Sequence, residues 1–149
     1  MNHSIDRRGL LNAGLALGAS LVVPTARACE FFTINFTIIH PWTRASADEA
    51  TSAIVNMKFE NVQNTDRLIG AHTPVADGAE MGGEGAAGAL VNFVIAEGQS
   101  SALSETGTYL RLVGLKFPLL VGRAYPLTLV FAKAGSVDTL LTVDYARFS

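Results

Sequence analysis

Gly83, Gly85 and Gly88 stand at the spacing G-x-G-x-x-G. That spacing cradles phosphate when a strand precedes it and a helix follows, because the helix N-terminus then faces the anion. Here "ALVNFVI" (89–95) follows and reads as a strand, so the glycines are expected to form a connection. Other chemistry-bearing residues are few. Outside the first 28 residues there are two histidines, His40 and His72, and two methionines, Met57 and Met81. Cys29 is the only cysteine, which excludes an internal disulfide. No G-x-S-x-G or paired-carboxylate motif is present, so nothing in the sequence supports an enzyme.

The elements that must position these groups read as β. "FTINFTIIH" (32–40) and "SAIVNMKFEN" (52–61) are rich in branched and aromatic residues, as are "RLIGAHT" (67–73) and "ALVNFVI". "TYLRLVGL" (108–115), "YPLTLVFA" (125–132) and "VDTLLTVDY" (137–145) complete the series. Ala53, Val55, Met57 and Phe59 alternate with Asn56, Lys58 and Glu60, which predicts one buried and one solvent face. Tyr125, Leu127, Leu129 and Phe131 form a second such stripe. Seven or eight short strands with no helical period predict a single antiparallel Greek-key β-sandwich over residues 29–149.

The N-terminus reads differently. Arg7 and Arg8, an apolar run from Gly9 to Val23, and Ala26-Arg27-Ala28 have the layout of a cleaved signal peptide over residues 1–28. The paired arginines suit the twin-arginine route, with general secretion and a retained N-terminal anchor as alternatives. The run is short for a membrane span. Export would place the protein in the periplasm. Cys29 would then be the first mature residue, and could be lipidated, free or capped by an external thiol. Without Arg7, Arg8, Arg27 and Asp6 the chain keeps 8 basic and 12 acidic residues, a net charge of −4. That balance argues against nucleic acid or anionic lipid as a partner.

Several segments in order resemble one family. Pro41-Trp42-Thr43-Arg44, Asn61 with Asp66-Arg67-Leu68, Gly114-Leu115-Lys116-Phe117-Pro118-Leu119 with Gly122, and Leu129-Val130-Phe131 with Ala134-Gly135 are similar to the periplasmic copper chaperones written PCu(A)C. The resemblance spans nearly all of residues 29–149. It implies a cupredoxin-like β-sandwich and delivery of Cu(I) to cytochrome oxidase. It also implies thioether and imidazole ligands, which suit soft Cu(I). The family places a His after a Glu-x pair, a Met on the next strand, and a His-x-Met pair before Gly-Leu. Here Glu80-Met81 is followed by Gly82. Leu90, Val91 and Phe93 stand where the Met would fall, and Tyr109 and Arg111 replace the His-x-Met pair. The stretch from Glu97 to Tyr109 is shorter than the family's. A guanidinium offers no lone pair and repels a cation.

The expectation is therefore a ligand-depleted member that binds no cofactor. It would act as a non-catalytic module for another periplasmic protein or a small anion, with Tyr109 and Arg111 sharing one strand face. The alternative is a working Cu(I) carrier with rebuilt ligands, Met81 or His72. Met57 reads as core and His40 as structural. Cys29 would need a terminus folded back to contribute.

Overall fold

The structure is a computed structural model that describes residues 29–83 and 88–146. The signal-peptide reading of residues 1–28 lies outside the described residues. Ten strands are present: β1 (Glu30–Phe32), β2 (Thr37–Arg44), β3 (Ser52–Glu60), β4 (Asp66–His72), β5 (Ala76–Gly82), β6 (Phe93–Ile95), β7 (Ser101–Leu103), β8 (Tyr109–Leu115), β9 (Ala124–Phe131) and β10 (Gly135–Tyr145). They curl around a large core cluster and a smaller one formed by Ala53, Val75, Leu119 and Val143, in the order β5-β8-β3-β2-β10-β9-β4-β6, with β1 on β2 and β7 on β3. The all-β expectation holds. Its purely antiparallel form does not, because β10 runs parallel to β2, with Thr142 opposite Trp42.

The core is the set of apolar stripes that period two predicts. Val55, Met57 and Phe59 of β3 face Leu127, Leu129 and Phe131 of β9, all at most 2% exposed. Phe36, Phe59 and Phe131 meet edge to face, with Phe36 and Phe131 centroids 4.9 Å apart. Such pairs add about 1 kcal/mol each beyond area burial.

Three departures from the sequence reading have local causes. The expected strand 32–40 breaks into β1 and β2, because Thr33 Oγ1 accepts hydrogen bonds from the Asn35 and Phe36 N–H groups and turns the chain. Strand character in 89–95 is confined to β6, with one isolated bridge from Ala89 to Met81. Asn56, expected on the solvent face, is 3% exposed. Its amide accepts from the Glu105 N–H (2.7 Å) and donates to the Trp42 carbonyl (3.4 Å), so the 104–108 turn covers it.

Two strands have little intrinsic β character. β5, "ADGAEMG", is built from residues depleted in strands. It forms because β8 offers it a continuous ladder from Ala76–Leu115 to Gly82–Tyr109. β7 is three residues paired with the end of β3.

The family motifs hold turns. Asp66 is 3% exposed. Its carboxylate accepts from the N–H groups of Arg67, Lys133 and Ala134 at 2.7 to 2.9 Å, which fixes the β9–β10 turn. Leu119, fully buried, is clamped by Ser46: the Leu119 N–H donates to Ser46 Oγ (2.7 Å) and the Ser46 N–H donates to the Leu119 carbonyl (3.1 Å).

Candidate functional site

The β5–β8 edge brings together three of the four residues that stand where the resemblance implies ligands, Gly82, Tyr109 and Arg111. Their antiparallel register sets Gly82 opposite Tyr109 and Glu80 opposite Arg111. Alternation puts these four on one face, while Met81 and Leu110 point into the core. Phe93 lies elsewhere, on β6 opposite Leu68, with its ring 5.9 Å from Phe59. Leu90 is 89% exposed and Val91 packs against the core.

Gly82 is buried, and the Tyr109 ring lies directly over it. A Cβ at position 82 would meet Tyr109 Cε2 at 2.2 Å and Cζ at 2.7 Å. The ring therefore fills the volume a side chain at 82 would need. Glycine and tyrosine are complementary here: a side chain at position 82 could enter only if the Tyr109 ring moved. Beside them, Arg111 Nε donates to Glu80 Oε1 at 2.8 Å, and Nη2 reaches the same oxygen. Both side chains are 27% exposed. A pair this close is charge-assisted and partly desolvated. The carboxylate that follows the family's Glu-x spacing is thus spent on a protein cation.

This geometry corrects one expectation. Arg111 does not stand as a free cation repelling metal or awaiting an anion, since Glu80 occupies its guanidinium. Tyr109 is half-buried over Gly82. The glycine connection returns beside the pair: a Cβ at Gly88, whose φ is 74°, would lie 3.9 Å from Glu80 Oε2. Residues 84–87, which include Gly85 of the G-x-G-x-x-G spacing, lie outside the described residues.

The other candidates are dispersed. Met81, the first rebuilt-ligand candidate, is 2% exposed and belongs to the core. Met57 is core as expected. His72 is exposed on β4, opposite Thr128 of β9. His40 Nε2 contacts Asp144 Oδ2. Cys29 is not loose: its carbonyl accepts the His40 N–H at 2.7 Å, so β1 is tied to β2 from its first residue. Among the described residues, no group of three or more His, Cys, Asp or Glu side chains gathers as a metal would require.

A second cluster escaped sequence reading. Arg44 lies 5.8 Å from the Trp42 ring centroid and 5.4 Å from that of Tyr145, and Nε and Nη2 donate to Glu105. The Glu105 hydrogen bond is the main reason the Arg44 pKa is raised above its ordinary value. The cluster borders a cleft of about 310 Å3 lined by small residues from Ala45 to Ala53. Trp42 and Arg44, two apart on one strand, were the only part of it visible in the sequence. Tyr145 and Glu105 arrive through tertiary pairing.

Comparison with known proteins agrees with the fold. The family model for LpqE-like, described as lipoprotein LpqE-like, matches residues 36–143. No curated protein sequence matches the chain. Among solved structures, a copper-bound PCuAC domain from PmoF2 is 27% identical with a TM-score of 0.70, covering 78% of this chain and 97% of that one. An apo PCuAC domain from PmoF1 is 27% identical with a TM-score of 0.71, covering 78% and 98%. CuI-DR1885 from Deinococcus radiodurans, at 22% identity and a TM-score of 0.61, shares the fold over 81% of this chain and 86% of its own.

Proposed function

The chain belongs to the LpqE-like family, and from that premise we propose that it is an exported PCuAC-type domain whose copper site has been replaced, serving as a non-catalytic binding module in the periplasm. The observation that carries this reading is the β5–β8 edge. Where the resemblance implies two imidazoles and a thioether, a tyrosine ring is stacked over a glycine and an arginine is paired with a glutamate. Each replacement is matched by a neighbour that accommodates it. A site that had merely lost its ligands would leave a gap or an unpaired carboxylate. This one is filled and neutralised.

The partner is another periplasmic protein meeting the Tyr109–Gly82 face. A small anion is the weaker choice, since it would have to displace Glu80 from Arg111.

Titration of the exported protein with Cu(I) against a competing chelator tests the reading. Affinity no better than that of an unfolded peptide is expected. Tight stoichiometric binding abolished by Met81→Ala or His72→Ala would replace this reading with a rebuilt Cu(I) carrier. Met81 would then have to leave the core to reach the metal, and copper would shift the near-ultraviolet spectrum of the aromatic cluster.

A further inference from the structure

We propose that a cleft on the outer face of β2, β3 and β7 binds a small planar carboxylate, its ring against Trp42 and its charge on Lys58. The cleft shares no residue with the β5–β8 edge, so the inference is independent of whether copper binds.

Two bulges shape this part of the sheet. Between Ile39 and Trp42, two residues of β2, His40 and Pro41, stand against Met57 of β3. Between Val143 and Tyr145, Asp144 is the extra residue of β10 against Thr43 and Arg44. His40 takes up the irregularity with φ of 49°, a region that residues with a Cβ avoid. Its Nε2 contacts Asp144 Oδ2, which locks one bulge to the other. The consequence is a change of phase along β2. Counting by twos from buried Ile38 would turn Trp42 inward. The extra residue instead buries Pro41 and Thr43 and leaves Trp42 part-exposed on the outer face. Backbone strain kept at such a position points to a role beyond packing. The indole is braced there, edge to face with Tyr145 at 4.9 Å.

The cleft measures about 400 Å3, which is within the range of natural small-molecule sites, about 300 to 1,000 Å3. Its polar groups divide sharply. The side-chain acceptors are spent. Asn56 Oδ1 takes the Glu105 N–H at 2.7 Å, and Ser104 Oγ takes the Thr106 N–H at 3.3 Å and shares a hydrogen bond with the Thr106 hydroxyl. The donors are not spent. Lys58 Nζ and the Trp42 indole N–H have no hydrogen-bond or ion-pair partner among the described residues. His40 Nδ1 is also unpartnered, since only Nε2 is engaged. No carboxylate lines the cleft, and Glu30, which stands across Ile39 from Lys58, does not pair with it. Spare donors without spare acceptors select an anion. An indole beside the ammonium selects a flat ring carrying that charge. The sheet holds these groups in place before any ligand arrives, which limits the entropy lost on binding.

The test follows the indole N–H resonance of Trp42, the only tryptophan in the chain, during titration of the purified protein with benzoate. A saturable shift at about millimolar concentration is expected, as one part-exposed ion pair and one ring contact allow. Benzamide, the uncharged analogue, and acetate, which has no ring, should each bind about tenfold more weakly. Lys58→Met should lower benzoate affinity about tenfold, and Lys58→Arg should retain it. Ala102→Phe, at an exposed position on the cleft wall, should block binding by filling the space. Arg123→Met removes an exposed cation outside the cleft and should change nothing. Thermal melting checks that each variant is folded. Absence of a saturable shift, benzamide binding as tightly as benzoate, unchanged affinity in Lys58→Met, or an equal loss in Arg123→Met would each overturn the proposal.

Discussion

Asp66 and Glu80 are both acidic residues on strands consecutive in the chain, β4 and β5, and each is neutralised, but in different ways. Asp66 is held by three backbone N–H groups and is almost fully buried. Glu80 is held by one side chain, Arg111, and remains about a quarter exposed. The first arrangement depends only on where the backbone goes, so it survives any change of function that keeps the fold. The second depends on a particular cation at a particular strand position. It can be swapped for other chemistry without disturbing the sandwich. The comparison separates scaffold from candidate site: the turn at Asp66 is fixed by backbone donors, while the Glu80–Arg111 pair is fixed by one side-chain partner.

Three measurements would break or sharpen this contrast. The largest effect is expected for Asp66→Ala. It leaves the Arg67, Lys133 and Ala134 N–H groups, all part-buried, without their acceptor, at a cost of about 3 kcal/mol and roughly 10 °C in melting temperature. A loss below about 1 kcal/mol would mean the turn holds itself and the contrast is false.

Gly82→Ala comes next. Its Cβ would enter the Tyr109 ring, with a cost of about 2 kcal/mol as the ring is pushed aside. Tyr109→Ala should itself cost stability by opening a gap, but in its presence Gly82→Ala should become nearly neutral. Additive losses in the double variant would show that the two positions are not complementary.

The smallest effect is expected at the ion pair. Arg111→Met should cost about 1 kcal/mol by leaving Glu80 part-buried and unpaired, and Glu80→Gln in the same chain should restore most of it. Raising salt should weaken the wild-type pair slightly and leave Asp66 untouched, because screening reaches the exposed charges first. An Arg111→Met loss as large as that of Asp66→Ala would make the pair scaffold after all.

Much of the fold was legible because burial on one face of a strand leaves a period-two signature. Ala53, Val55, Met57 and Phe59 fall inward as that signature predicts, and so do Leu127, Leu129 and Phe131. β5 was illegible for the opposite reason. Its alanines, glycines and acids carry no such pattern, and the ladder of β8 alone makes it a strand. Asn56 was misassigned because the 104–108 turn covers a position that would otherwise face water.

The candidate site divides along the same line. The sequence by itself set Gly82, Tyr109 and Arg111 at the positions where the resemblance implies ligands, and none of these side chains can donate as imidazole or thioether would. It also determined that Met57 is core. Only the tertiary structure decided that Tyr109 lies on Gly82, that Glu80 neutralises Arg111, and that Met81 turns inward. Those facts depend on the register between β5 and β8, and register is fixed by hydrogen bonds between segments about thirty residues apart in sequence. A shift of one residue would exchange the faces, placing Met81 outward and Glu80 in the core.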